Sequence, residues 1–289
     1  MRVVAIFLML SILCSCSQLQ RSKSKTKSES KKLRSFFKKT YEKNVSRSPI
    51  SQTYLGRKTD YGKLNNATRE YAQEQNRIDE ENLRKLRKFD YNKLDAQAKL
   101  SYQIFEYNLE SKVEGFEKWY YHGYPLNQMF GFHSHIPSFL INMHRVENKS
   151  DAEAYISRLK EIQRYFSEKQ TYMEKQLEKG ILPPNFVYPK ILDDAKNVIS
   201  GAPFEKGKKV SPLFKDFKKK VSALDLASDE KRALVQKAEK ALLQYAGPAY
   251  RDLIAFTKKL DEKSKSSLGV WALPKGDKYY RFRLQQMTT

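Results

Sequence analysis

The sequence has 289 residues, of which 55 are Lys or Arg and 33 are Asp or Glu, so its formal net charge is +22. Apolar residues make up 40% of the chain, enough to bury a core, which excludes a wholly disordered protein. The two cysteines are too few for a disulfide-stapled scaffold, and the length suits one large domain or two modest ones.

The N-terminus has the pattern of a secretory signal peptide. Arg2 supplies a positive charge before the apolar run of residues 3–13, which is shorter than the roughly 20 residues that span a bilayer as a helix. The run leads into Leu-Cys-Ser-Cys, which resembles the lipobox of bacterial lipoproteins. We therefore expect residues 1–15 to be removed and Cys16 to be lipidated.

Cys16 fits the lipobox better than Cys14, because the bulky Leu13 would stand directly before Cys14. The alternative is a plain signal peptide, or an uncleaved anchor, with two incidental thiols. Ser17 stands where the Asp of an inner-membrane retention signal would be, so we expect anchoring to the cell envelope at the outer membrane.

A strongly basic segment follows the lipobox. Residues 21–47 contain eleven Lys or Arg and two Glu. The Ser, Lys and Thr of residues 22–32 offer nothing to bury, so we expect this stretch to be disordered, within a lipid-anchored basic tether of residues 16–47. Residues 21–47 would be attracted to anionic lipid head groups, and a solvated spacer is the alternative. Because export removes the chain from nucleic acid, we expect no nucleic-acid partner.

From about residue 48 onward the pattern is helical. Its clearest segment begins with Ser150 and Glu153, spaced as a capping box, and continues with apolar residues at spacings of three, four and seven from Tyr155 to Leu177. Gly180 and the two prolines after it end the pattern. We expect an amphipathic helix of about eight turns.

Other segments also have helical patterns. Residues 65–88 and 95–114 contain neither Gly nor Pro. In the second segment, Leu100, Ile104 and Tyr107 fall on a common side of the expected helix. A third helix is expected over residues 228–245, with a break or kink at Gly247-Pro248 before residues 250–259 resume it.

Strand-like alternation is scarce. Residues 186–191 and 269–273 are short strand candidates, and residues 278–284 fit a strand or a helix. The predicted fold class is mainly α, a multi-helix array with little strand, in one helical domain of residues 48–289.

Side chains that carry chemistry are few. The four histidines are His122, His133, His135 and His144, and none belongs to an HExxH motif. His133 and His135 would share one face of a strand but point apart on a helix, and no third metal ligand stands at a recognisable spacing. We expect this pair to be structural or to face solvent. GxSxG, P-loop and Gly-rich dinucleotide motifs are absent, so no catalytic residue is assigned.

Two further groups have alternative interpretations. The aromatic residues 119–121, with Phe130 and Phe132 nearby, would line a pocket or pack in the core, and core packing is the commoner role. Asp193 and Asp194 would form an acid–base pair or a solvated helix face, and adjacent carboxylates on a helix diverge.

Several short segments occur in an order that resembles a known family. The sequence resembles the bacterial family called domain of unknown function 885 over about residues 48–289, and the segments that carry the resemblance are SP at 48, YLG at 54, DAEAYISRL at 151, EKG at 178, PLF at 212, PAY at 248, GVWALPKG at 269 and YY at 279. The resemblance implies a mostly helical fold similar to zinc peptidases. It also implies a His-Glu-x-x-Pro-Gly-His metal motif in a second half of similar length.

The chain departs from the family at its C-terminus. It ends at Thr289, before the position of the metal-binding half, so no zinc ligand or general base is carried over, and zinc is expected only in that other half. In the family, this half of the fold helps to shape the substrate cleft. The resemblance therefore implies that His133, His135, Tyr279 and Tyr280 are candidate residues of the cleft wall.

Two hypotheses for function remain open at this point. In the first, the chain is an envelope lipoprotein that carries the non-catalytic N-terminal half of a metallopeptidase-like protein, as a truncated product or as one half of a split enzyme. The partner would then be a separate chain that carries the metal-binding half. In the second, the chain is a stand-alone helical module that binds peptide or an anionic envelope polymer.

Overall fold

The computed structural model describes residues 25–264 and 269–288. In this part of the chain the secondary structure is helical, and one isolated bridge between Ala202 and Val210 is the only β pairing. The prediction of a mainly α, multi-helix array is confirmed. No helix in these two ranges is both long enough and apolar enough to cross a membrane.

Eleven helices occur within the described ranges, and we number them in chain order. They are α1 (25–46), α2 (Pro49–Tyr54), α3 (Arg69–Leu86), α4 (Ala96–Trp119), α5 (Phe132–Asn142), α6 (Lys149–Glu178), α7 (Tyr188–Val198), α8 (Pro212–Ser222), α9 (Ser228–Ala241), α10 (Gly247–Lys263) and α11 (Gly276–Thr288).

The helices belong to two compact units. Among the described residues, the first unit contains residues 25–44 and Gln73–Lys118, and the second contains Val45–Ala72 and the residues from Trp119 onward. The sequence analysis placed residues 48–289 in one domain and did not separate these units. The physical reason is that α1, α3 and α4 share a core of their own.

The disorder expected for residues 22–32 is wrong for its described part, because residues 25–46 form the helix α1. Leu33 is fully buried in the first unit, and Phe37 packs against Phe105 of α4 with ring centroids 4.7 Å apart. The Ser30 hydroxyl, also buried, accepts a hydrogen bond from the backbone N–H of Asp95 at 2.9 Å. Apolar and small residues at helical spacing therefore order a segment whose remaining positions are basic.

The buried face of α4 is not the face that contains Leu100 and Ile104. Leu100 and Ile104 are about half exposed, whereas Ala98, Tyr102 and Leu109 are buried in the core of the first unit. Ala98, Tyr102 and Leu109 therefore provide the packing face. Helical periodicity located this helix but did not identify its buried side.

The long helix α6 spans 30 residues, close to the eight turns expected. Its cap is Asn148, whose side chain accepts a hydrogen bond from the N–H of Asp151 at 3.0 Å. The expected capping box of Ser150 and Glu153 is therefore wrong, because the helix begins at Lys149 and both residues lie inside it. After the helix ends at Glu178, Gly180 takes a positive φ of 68°, a conformation that glycine adopts without steric cost.

Of the two outcomes expected at Gly247-Pro248, a break or a kink, the break is absent. A π turn, Leu242–Ala246, joins α9 to α10 without leaving helical geometry. Pro248 has no N–H and its ring clashes with a carbonyl one α turn earlier, and a π turn relieves both problems by shifting the hydrogen-bond register. The proline is accommodated at the start of α10 and does not end the helix.

The short strand candidates are wrong. Residues 186–191 lie in a 3-10 turn, Asn185–Val187, and the first turn of α7. Residues 269–273 contain another 3-10 turn, Val270–Ala272, and residues 278–284 lie within α11. Four or five residues with β-branched or aromatic side chains are too few to distinguish a strand from a buried turn.

A fully buried arginine organises the core of the second unit. Arg158 of α6 donates to the Thr53 hydroxyl of α2 at 2.6 Å and to the carbonyl oxygen of Lys63 at 3.0 Å. Its guanidinium carbon also lies 4.8 Å from the ring centroid of Phe139 in α5. No carboxylate pairs with it among the described residues, so neutral acceptors and an aromatic ring satisfy its charge.

The next member of this network is His144, which lies just after α5. Arg158 donates to its Nδ1 at 2.8 Å, so its Nε2–H is left to donate to the carbonyl oxygen of Asp151 at 3.0 Å. The imidazole also stacks on the ring of Tyr61 at 4.1 Å. Burial lowers the pKa of His144 to about 3, so it is neutral in the folded protein at neutral pH.

Helix α5 contains a proline that leaves one backbone carbonyl without its usual partner. Pro137 lacks the N–H that would bond to the carbonyl of His133 one turn earlier. The buried Tyr250 of α10 replaces that donor, and its hydroxyl lies 2.6 Å from the His133 oxygen. At the other end of α5, the ammonium of Lys220 donates to the carbonyls of Leu140 and Ile141 at 2.9 and 2.8 Å.

Removal of the Tyr250 hydroxyl should destabilise the protein. In Tyr250→Phe the buried carbonyl of His133 has no donor, which costs about 1–3 kcal/mol. Urea denaturation measures this loss. Tyr280→Phe is the matched control because Tyr280 is 53% exposed, and it should change the free energy of unfolding by less than about 0.5 kcal/mol. Equal stability of the two variants would contradict the assigned role of Tyr250.

Stability should decrease as the pH falls below the unfolded-state pKa of His144. Histidine titrates at about 6.5 in an unfolded chain, whereas in the folded protein the pKa is about 3. Between these values the unfolded chain binds a proton that the folded protein does not. The free energy of unfolding therefore falls with decreasing pH, by roughly 1.4 kcal/mol per pH unit from this residue.

The variant His144→Asn should have a shallower pH dependence, since its amide oxygen still accepts from Arg158 but does not titrate. Denaturation at a series of pH values measures the difference in slope. His135→Asn is the control, because His135 is exposed and its variant should keep the slope of the wild type. The same slope in all three proteins would contradict a neutral, buried His144.

Candidate functional site

An open groove lies along the N-terminal half of α5 in the second unit. Its volume is about 640 Å³. We call it the α5 groove, and it is lined by Pro125, Met129, Phe130, Gly131, Phe132, Ser134, His135, Ser138, Tyr165 and Lys169. The loop before α5, the first turns of α5 and the middle of α6 provide these residues, all of which belong to the second unit.

The loop before α5 presents two large apolar side chains to solvent. The carbonyl oxygen of the Asn127 side chain accepts hydrogen bonds from the N–H groups of Met129 and Phe130, at 2.9 and 2.6 Å. Such an Asn turn fixes the backbone without help from the core. Met129 and Phe130 are 69% and 74% exposed, so the loop is held in a shape that keeps them out of the core.

The groove has a rigid aromatic floor. Phe132 is buried, and its ring makes an edge contact with Phe166 at a centroid distance of 4.8 Å and a second with Tyr165 at 6.3 Å. Burial raises the pKa of Tyr165 to about 12, so its hydroxyl is neutral. Floor and loop together form an apolar surface of the kind that binds side chains of a ligand.

Among the residues that line the groove, Lys169 is the one lysine or arginine. The Nζ of Lys169 lies 5.6 Å from the ring centroid of Tyr165, and burial lowers the pKa of Lys169. Its neighbour Glu168 does not neutralise it by contact. One Glu168 oxygen accepts from Arg164 at 2.6 Å and the other accepts from the N–H of Ala67 at 2.7 Å. Among the described residues, Lys169 has neither a hydrogen bond nor an ion pair.

The α5 side of the groove is polar. His135 and Ser138 are exposed on this side, and Ser134 lies between them and the loop. The Ser134 hydroxyl donates to the carbonyl of Gly131 at 3.2 Å, and Ser138 Oγ accepts from Asn142 at 3.1 Å. Ser138 and His135 therefore retain the capacity to donate hydrogen bonds toward the groove.

The two histidines singled out from the sequence are separated by the helix, as expected for positions two residues apart. His135 lines the groove, whereas His133 is buried and does not. The Nε2 of His133 lies 3.6 Å from the exposed Asp194 carboxylate, just beyond hydrogen-bond distance, and burial lowers the pKa of His133. A Cβ at Gly131 would lie 2.5 Å from His133 Nδ1, so only glycine fits there.

The other residues of the predicted cleft wall lie elsewhere in the second unit. Tyr279 of α11 packs against Trp119 and His122, with centroid distances of 5.6 and 4.9 Å, and Tyr280 is about half exposed. Neither lines the α5 groove. Cys16, the predicted lipidation site, lies outside the described residues.

Sequence reasoning found part of the groove. Phe130 and Phe132 were assigned to a pocket or to the core, with core packing favoured. Both line the groove, Phe132 is also buried in the core, and residues 119–121 do not line the groove. Lys169 and Tyr165 were missed, because on the sequence they belong to an ordinary amphipathic helix. Asn127 was the available signal for the loop, because Asn is a common turn residue and here precedes Met129 by two positions and Phe130 by three.

The described residues do not provide a zinc site. In residues 25–264 and 269–288, no group of three or more His, Cys, Asp or Glu side chains is placed to hold a metal ion. The pair of His133 and Asp194 has no third ligand in this part of the chain.

Two solved structures share the fold. A candidate lipoprotein from Colwellia psychrerythraea matches with a TM-score of 0.76 and 19% identity, over 89% of this chain and 46% of that chain. A candidate lipoprotein of unknown function from Shewanella oneidensis matches with a TM-score of 0.57 and 14% identity, over 80% of this chain and 38% of that chain. This chain thus spans less than half the length of either structure.

No curated protein matches the chain. Residues 49–289 match the family described as bacterial protein of unknown function, DUF885. This range contains the whole α5 groove and most of the described helices. The chain belongs to the DUF885 family of bacterial proteins of unknown function.

Proposed function

We propose that this chain is an envelope lipoprotein whose helical region binds peptide, as the non-catalytic, substrate-binding half of a metallopeptidase-like protein. The α5 groove carries this proposal. It is an open cleft of about 640 Å³ with an aromatic floor, two exposed apolar side chains and a polar wall. A groove with both apolar and hydrogen-bonding surfaces suits a peptide, which has apolar side chains and a polar backbone.

The exposure of Met129 and Phe130 supports a binding role for this surface. Large apolar side chains that are more than two-thirds exposed are unfavourable in water unless a partner covers them. Their loop is fixed by Asn127, so they are presented in one arrangement before a ligand arrives. A ligand that covers them gains apolar burial without first ordering the loop.

Lipid anchoring is proposed from the sequence. The signal-peptide pattern, the lipobox and Cys16 support it, and the two structures of the same fold are described as candidate lipoproteins. The absence of Asp after Cys16 favours the outer membrane. Residues 21–47 would contact anionic head groups, and within them α1 exposes Lys31, Lys38 and Lys39 while it buries Leu33.

We propose that the catalytic metal lies in a part of the family fold outside the matched region, residues 49–289. The resemblance to zinc peptidases and the greater length of the two solved structures support this placement. A separate chain with the metal-binding half would then be the partner. The alternative is a stand-alone module that binds peptide and never participates in its cleavage.

Peptide binding and the lack of cleavage can be tested in one experiment. The full chain is incubated with a fluorescein-labelled pool of random hexapeptides, anisotropy measures binding, and mass spectrometry of the recovered pool detects cleavage. We expect binding without cleavage. Phe130→Ala should weaken binding about tenfold, because it removes the most exposed aromatic side chain of the groove.

Phe186→Ala is the matched control. Phe186 is also exposed, at 53%, and lies outside the groove, so this variant should bind like the wild type. An equal loss in both variants, or no binding by the wild type, would contradict a peptide groove at α5. Cleavage of the pool by the chain alone would contradict the non-catalytic role.

A further inference from the structure

We propose that the α5 groove recognises the free C-terminus of a peptide, with Lys169 pairing with the terminal carboxylate and the apolar surface of the groove holding the last side chain. This inference rests on the proposed peptide-binding function and specifies which part of a peptide is bound. Three features carry it: a cation with neither a hydrogen bond nor an ion pair among the described residues, an apolar surface beside it, and two hydrogen-bonding side chains on α5.

The first feature is the charge of Lys169. Its ammonium stands at the edge of an aromatic floor, where burial already disfavours the charged form. The carboxylate closest in sequence, Glu168, uses both oxygens for Arg164 and for the N–H of Ala67. A ligand anion would supply the partner that the described residues do not, and a charge-assisted hydrogen bond in a partly desolvated groove is stronger than one in water.

The second feature is the apolar surface next to this cation. Phe130 and Met129 form the exposed edge, and Phe132 and Tyr165 form the floor. A carboxylate bound by Lys169 therefore has apolar protein surface within reach on the same side. The last residue of a peptide places its carboxylate and its side chain on one carbon atom, so a bulky apolar C-terminal residue fills both parts of the groove.

The third feature distinguishes a peptide from a fatty acid, which also joins a carboxylate to an apolar body. Ser138 and His135 line the groove beside the apolar surface. An acyl chain would remove water from these side chains and offer no hydrogen bond in return, which is unfavourable for each group that is buried unpaired. The amides that precede a peptide C-terminus supply the missing partners.

The test compares two forms of one probe, fluoresceinyl-Ala-Ala-Ala-Phe with a free carboxylate and the same peptide as its C-terminal amide. Binding to the full chain is measured by anisotropy. We expect the free acid to bind about tenfold more tightly than the amide. In Lys169→Met the free acid should lose this advantage, while the amide should bind about as it does to the wild type.

Lys160→Met is the matched control, since Lys160 is an exposed lysine of the same helix outside the groove and its removal subtracts the same charge. This variant should keep the preference for the free acid. A loss of preference in both variants would indicate attraction by net charge alone and would overturn the assignment to Lys169. Laurate is the competitor that represents an acyl ligand.

The outcomes separate this inference from the proposed function. Equal binding of acid and amide, with a loss in Phe130→Ala, would overturn C-terminal recognition and leave the peptide groove intact. Displacement of the peptide by laurate at a concentration below that of unlabelled peptide would overturn the choice of a peptide. If neither form binds, the proposed function and this inference both fail.

Discussion

The burial of Arg158 is the constraint on which the second unit depends. A guanidinium that is fully buried without a carboxylate is tolerable only if each of its N–H groups meets an acceptor. Those acceptors come from segments far apart in the chain, namely Thr53, the carbonyl of Lys63 and the ring of His144. Any movement of these segments away from α6 would leave a charge unsatisfied, so Arg158 fixes their positions together.

The position of α5 depends on this network at one end and on a separate contact at the other. His144 holds the chain just after the C-terminal end of α5, and Tyr250 holds its N-terminal half through the carbonyl that Pro137 leaves unpaired. Gly131 then allows the ring of His133 to turn inward, which leaves His135 on the outside. The groove is therefore built on a helix that is restrained along its whole length, and a rigid support favours precise binding.

Sequence reasoning located the structure best where periodicity was long and uninterrupted. The 30 residues of α6 were predicted almost to their ends. The exception is the N-cap, which was predicted at Ser150 and is Asn148. It failed for α1, because a highly charged segment gave no sign that Leu33 would find a core formed by distant helices. Such tertiary burial is decided by contacts that local composition does not contain.

The groove was only partly visible in the sequence for a related reason. Phe130 and Phe132 were recognisable as candidates for a pocket or for the core, since they belong to a region rich in aromatic residues. Lys169 was not, because the property that makes it distinctive is the commitment of Glu168 to Arg164 and Ala67. That commitment depends on the fold of the second unit. Among the described residues, Lys169 is thus without an ion pair because its neighbour Glu168 already binds Arg164 and Ala67.

Hydrogen–deuterium exchange of the full chain, with and without a saturating peptide that ends in a free carboxylate after Phe, tests the central claim most directly. The account predicts slower exchange in residues 127–138 and around Lys169, with little change in α11. Slower exchange confined to α11, around Tyr279 and Tyr280, with residues 127–138 unchanged, would contradict it. The ligand site would then be on α11, and the α5 groove would not be the binding surface.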